Sequence, residues 1–326
     1  MSKRQSLGWF IRIAALITII ATILTGCADD DSGAATGESK LAAEPASDTS
    51  HDALMISFRN TVKEAKEAAE IVSFLNENAS KAGQPNADLM IRALNVFYSK
   101  DIEATQEQFA QPHVQEALLA QSQVINSATA AEIEDAEVRQ LVVTKLSGGY
   151  KLEGVEGTIF PIVDYGMQRK FSGYLSEPLK QYIILKAEES DKPTARDGGL
   201  VISWDELAAR AVMAEEYVTL YLDTPEREEV LQLYLDRYLP FYIYGQSNTP
   251  VFDDMFVLED EVKDSYEKLI AERPNSVTAN TVQRYLDVLS QTGGRLLERR
   301  NGQQYNIPAV QQFLDSYIAD ARAMLE

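Results

Sequence analysis

The sequence predicts a mainly helical α+β protein with a small antiparallel β meander in its middle, built as a helical bundle or an irregular helical-repeat-like array. Three observations predict it. Apolar residues recur at helical spacing through the first third of the body. Glycine turns then part short β-branched and aromatic runs between residues 141 and 163. Capped segments of helical period return afterwards and continue to the C-terminus.

Taken in order, the chain begins with a leader. Lys3, Arg4 and Arg12 supply positive charge, and residues 1–26 contain no acid. Ile13 to Leu24 is apolar apart from Thr18 and Thr22. A basic start, a short apolar run and small residues at its end form a secretory signal. The run is shorter than the roughly 20 residues a spanning helix prefers.

The signal ends in Leu24-Thr25-Gly26-Cys27, and Cys27 is the only cysteine of the chain. This stretch resembles the lipobox of bacterial lipoproteins. The resemblance implies cleavage before Cys27, a diacylglyceryl group on its thiol, and attachment to the outer face of the cytoplasmic membrane in the bacterial cell envelope. An uncleaved anchor with an incidental cysteine is one alternative. A plain secretory signal is another, but it leaves a lone exported thiol with no partner for a disulfide. Removing the leader makes the mature chain three charges more negative than the whole chain's −20. No polybasic patch adjoins Cys27, so lipid rather than charge must supply the attachment. The mature body also resembles uncharacterised surface lipoproteins of Gram-positive bacteria, which implies no activity.

Residues 27–52 follow as an acidic tether of small polar residues, too poor in apolar side chains to form a core. As a flexible coil it reaches roughly 25–30 Å. Asp29, Asp30 and Asp31 are consecutive and lack the alternating ligands and sixth-position glycine of a calcium loop.

Residues 53–135 are expected to form an N-terminal helical region. Leu54, Phe58, Val62, Ala65, Ala69 and Val72 predict one amphipathic helix, ended by Gly83 and Pro85. A second starts near Asn86, and two shorter ones part at Pro112. Residues 136–326 open with the meander: Leu141 to Val143, Tyr150 to Leu152, and Ile159 to Val163. Ser176 with Pro178 starts another helix, and residues 189–202 read as an extended or looped crossing. Ser203 and Thr224-Pro225 open further helices, and Pro240 is expected to close the second. Helices at about 260–272, 277–292 and 308–325 complete the chain, with Gly293 and Gly294 as a C-terminal cap.

Few constellations carry chemistry. Ser203-Trp204-Asp205-Glu206 fits a capping box better than a catalytic serine with acids. Ser265 and Lys268 match S-x-x-K, but the S-D-N and K-T-G motifs that accompany it in penicillin-recognising enzymes are missing from the sequence. His51 and His113 are the only histidines and stand in no metal-binding or triad motif. No glycine-rich phosphate loop occurs, so no cofactor is expected. The acidic balance argues against nucleic acid, and Arg295, Arg299 and Arg300 read as a solvated basic island. Tyrosines stand out: Tyr217 and Tyr221, then Tyr234, Tyr238, Tyr242 and Tyr244. They read either as core or as a binding cleft, with Tyr234, Tyr238, Tyr242 and Tyr244 as candidate ligand contacts.

The expected function is therefore a lipid-anchored, non-catalytic binding or interaction module outside the cytoplasmic membrane. Its expected partners are membrane lipid through Cys27 and an envelope protein or glycan. The alternatives are a small-ligand or glycan binder using the tyrosine-rich cleft, and a cell-wall-acting hydrolase with paired carboxylates.

Overall fold

The computed structural model describes residues 49–326. Cys27, the signal and most of the tether lie outside the described residues, and no helix among those described is long and apolar enough to cross a membrane. The chain is mainly helical, with small two-stranded antiparallel sheets.

The first expected helix is two. Helix α1 covers Thr49–Glu64 and α2 covers Ala68–Asn78. The break lies where the Glu70 carboxylate accepts the N–H groups of Lys66 and Glu67, at 2.9 and 3.1 Å. Those bonds offer the backbone an alternative to the helical ladder and cap α2. Ala68, Ile71, Val72 and Leu75 then form a buried stripe. Helix α3 (Gln84–Phe109) starts after Gly83, whose φ of +74° suits a residue without a Cβ. It runs to Phe109, and α4 (Pro112–Leu119) follows with proline in its first turn.

Residues 141–143 are helical, not a strand: they lie inside α5 (Ala136–Ser147). Asp135 caps that helix by accepting from Glu137 and Val138 N–H, which fixes its start before the β-branched run. Val138 and Val142, one turn apart, are buried with Phe109, Leu118 and Ile133 in a small core of their own. The sheet here is thus a hairpin, β1 (Tyr150–Val155) with β2 (Thr158–Val163). Leu152 and Ile159 of the hairpin pack on that small core.

A short helix α6 (Tyr165–Gln168) leads to α7 (Glu177–Asp191). The expected crossing at 189–202 is a hairpin, β3 (Ala195–Arg196) with β4 (Gly199–Leu200). Its turn, Asp197-Gly198, has φ of +49° and +72°, the backbone of a type I′ turn. Helix α8 (Trp204–Leu220) opens as expected, with the Ser203 hydroxyl accepting from Glu206 N–H at 3.2 Å.

Pro240 does not close a helix. Helix α9 (Arg227–Leu233) passes through a π-helical turn at Tyr234–Tyr238 into α10 (Leu239–Tyr244). In an α-helix the Pro240 ring would press on the carbonyl four residues back. The wider turn, in which Leu239 N–H bonds to Tyr234 C=O, relieves this and lets the helix continue. A further hairpin, β5 (Gly245–Gln246) with β6 (Thr249–Pro250), precedes α11 (Asp260–Glu272) and α12 (Val277–Gln291). The sequence reading left out the next element, hairpin β7 (Leu297–Arg300) and β8 (Gln303–Asn306), before α13 (Pro308–Leu325).

Helix α8 is the keel of the main core. Leu207, Ala211, Ala214 and Val218 have no exposed surface. Arg210, 2% exposed, crosses to the end of α7 and donates to Glu189 (3.1 Å), the Lys192 carbonyl (2.8 Å) and Glu206 (2.8 Å). Glu215 crosses to α12 and accepts from Val277 N–H (2.6 Å), Thr278 N–H (2.9 Å) and the Thr278 hydroxyl (2.7 Å). With Ser276 accepting from Ala279 N–H, the first three N–H groups of α12 are all bonded. These two carboxylate clasps fix the helices flanking α8 and leave its outer face open.

Candidate functional site

The four tyrosines do not line one cleft. Tyr234, Tyr238 and Tyr242 have no exposed surface, and their rings are core. The Thr278 hydroxyl proton is given to Glu215, so Tyr234 donates to the Thr278 oxygen at 3.0 Å. The buried Tyr238 hydroxyl lies near the Glu189 carboxylate, and burial first, then Glu189, raises its pKa. Half-buried Tyr244 donates to Asn306 at 2.8 Å. Tyr242 bonds Ser265 at 2.9 Å, and burial pushes its pKa up. Tyr217 and Tyr221 meet edge to face on α8.

Through Ser265, however, the tyrosine core reaches a groove that gathers residues the sequence presents separately. Helices α8 and α11 diverge on the surface, and α7 adds Gln181 at one side. The central chamber is about 430 Å³. Its floor is Ala208, Val212, Met213 and Leu269, with Ala209 open to solvent beside them. A chamber of about 210 Å³ near Ser203 and Trp204 shares Asp205, Ser265 and Lys268 with it. Another, of about 310 Å³, near Pro274 and Asn275, shares Glu216, Glu272 and Arg273.

Helical spacing explains why these residues face one way. Asp205, Ala209, Val212 and Glu216 recur at i, i+4, i+7 and i+11, three turns of one face. Asp205 and Glu216 therefore stand about 16 Å apart along the axis, from a rise of about 1.5 Å per residue. On α11, Ser265, Lys268, Leu269, Glu272 and Arg273 make the matching stripe. Two ion pairs cross between the helices: Asp205 with Lys268 and Glu216 with Arg273, both at 2.7 Å. All four side chains are about half exposed, so solvent screening leaves each pair a small contribution.

Protonation states decide what this arrangement does chemically. An S-x-x-K serine needs a neutral amine as base. Here the hydrogen bond to Asp205 raises the Lys268 pKa, so the ammonium form prevails at neutral pH. Lys268 first, and the Ser265 hydroxyl second, hold the Asp205 carboxyl below its ordinary value. Ser265 is 4% exposed, and its hydroxyl is bonded to that of Tyr242. Ser203 is occupied as the cap of α8. Each of these groups is thus charged or hydrogen-bonded, and Lys268 is not a neutral amine beside Ser265.

The other sequence candidates are scattered. His51 lies in α1, and His113 in the first turn of α4. Arg295, Arg299 and Arg300 are exposed; Arg299 lies over the Phe256 ring and Arg300 pairs with Glu298. No group of three or more metal-ligating side chains converges among the described residues. Sequence reasoning missed the groove. Its signal was the alanine pair on α8, framed by two acids spaced three turns apart. In comparisons with known families, curated proteins and solved structures, nothing matches the chain.

Proposed function

We propose that the protein is a lipid-anchored, non-catalytic binding module of the bacterial cell envelope, and that the α8–α11 groove is its recognition surface. The leader and the lipobox-like Leu24-Thr25-Gly26-Cys27 support the anchor. The observation that carries the binding reading is the groove itself: an apolar floor, a charged rim, and a serine and lysine hydrogen-bonded to Tyr242 and Asp205. The small polar residues before α1 support a spacer between anchor and body; the helix begins at Thr49, so the expected tether ends before residue 52.

Cell fractionation and co-purification test both halves separately. Cys27→Ser is expected to release the protein from the membrane. Ala209→Arg, placing a long side chain over the open floor, is expected to stay membrane-bound and to lose its co-purifying partner. Membrane retention of Cys27→Ser equal to the parent contradicts the anchor. Unchanged partner recovery with Ala209→Arg contradicts the groove.

A further inference from the structure

We infer that the groove takes a basic peptide segment, with two cationic side chains about 16 Å apart and apolar residues between them. The inference rests on the binding reading and adds the class of partner.

Charge gives the first argument. The three connected chambers bear Asp205, Glu216, Glu261, Asp264 and Glu272 against Lys268 and Arg273. The two ion pairs consume both bases. Among the described residues no cation comes within ion-pair distance of Glu261, Asp264 or Glu272. The groove is thus a negative trough on a chain of net charge −20, and it repels acidic segments.

The second argument is that the built-in pairs are easily exchanged. Lys268 and Arg273 sit on exposed, flexible stems, and opening such pairs costs little. An incoming lysine or arginine can take over Asp205 at one end and Glu216 at the other, and Lys268 and Arg273 swing out to water. The apolar floor of Ala208, Val212, Met213 and Leu269 lies between the two carboxylates and faces the intervening side chains. An extended peptide rises about 3.3 Å per residue and its side chains alternate faces, so cations four residues apart, with Cα atoms about 13 Å apart, face the groove together and their long stems make up the remaining few ångströms.

The test uses the full chain purified in a zwitterionic detergent and two fluorescein-labelled synthetic peptides. One carries lysines four residues apart with leucine and alanine between them; the other has glutamates in place of the lysines. Fluorescence anisotropy is expected to show saturable binding of the lysine peptide alone. Asp205→Asn with Glu216→Gln should weaken it about ten-fold, on the order of two exposed ion pairs. Lys268→Met with Arg273→Met should tighten it by removing the internal competitors. Glu103→Gln with Glu107→Gln, the same charge change on the exposed face of α3, should leave it unchanged. Equal binding of the glutamate peptide overturns the inference, and so does equal weakening by the α3 pair. If the lysine peptide does not bind while a crosslinker at position 213 still captures a partner in cells, the basic class falls and the binding reading stands. If neither occurs, both fall.

Discussion

Replacing Glu215 by alanine should destabilise the body through the helix that Glu215 caps. Its carboxylate accepts two N–H groups at the start of α12, together with the Thr278 hydroxyl. Thr278 is fully buried, so its N–H finds no water when the carboxylate is removed; an unsatisfied buried donor costs about 1–3 kcal/mol. Val277 is half-buried, and its N–H can turn to solvent at smaller cost. Loss of the cap adds about 1 kcal/mol. The expected total is about 3 kcal/mol, or roughly 6–12 °C in melting temperature at about 2–4 °C per kcal/mol. Glu215→Gln keeps one acceptor and should fall about halfway. Thermal unfolding by circular dichroism gives the order parent, Gln, Ala, and hydrogen exchange should show residues 277–281 opening first. An Ala variant melting within about 2 °C of the parent refutes the view that this clasp holds α12 to α8.

Gly245 has φ +78° and ψ −157°, and a Cβ there would meet the Thr249 carbonyl at 2.3 Å and the Pro250 Cα at 2.8 Å. Gly245→Ala should therefore cost about 3 kcal/mol or more in urea unfolding. Lys145, 2% exposed, holds Glu67 at 2.7 Å and Asp101 at 3.5 Å, so Lys145→Met should cost about 3 kcal/mol, with part recovered by adding Asp101→Asn. Asp205, Glu206 and Asp320 have lowered pKa values, each chiefly from a hydrogen-bonded cation: Lys268, Lys192 and Arg284. Their contribution is complete above the ordinary values of 4.5 and 3.8 and is lost as pH falls through the lowered ones. Melting temperature should accordingly stay level from pH 7 to about 5 and drop in stronger acid. Fluorescent penicillin and fluorophosphonate probes should leave Ser265 unlabelled by mass spectrometry; an adduct on its oxygen would make it a nucleophile and contradict the non-catalytic reading.

Helix positions were most legible where a cap and a period agreed. Ser176, Ser203 and Pro308 mark starts that the structure keeps: the Ser203 hydroxyl caps α8, and a proline stands in the first turn of α7 and of α13, where its missing N–H costs nothing. The 141–143 run misled because β-branched residues pack as well on a helix face, and the cap at Asp135 decided the matter. Asn301-Gly302, with φ of +53° and +81°, is a strong hairpin signal that the basic island obscured. At Pro240 local rules failed because a π-turn relieved the clash that ordinarily stops a helix. The tyrosines were visible as a group, but their direction depended on neighbours far along the chain: Thr278 for Tyr234, Ser265 for Tyr242 and Asn306 for Tyr244. The groove was hidden for the same reason. Its two walls lie about 60 residues apart in sequence, and the S-x-x-K pattern on one wall and the capping box on the other gave no sign that they meet.

Recognition at the α8–α11 groove is the central proposal. Its most direct test places a photo-crosslinking amino acid at Met213 of the full-length protein in intact cells, with Glu298 as a control position. The account predicts a defined adduct from position 213, abolished by Ala209→Arg and absent from position 298. The same adducts from both positions, or none from 213, would contradict it.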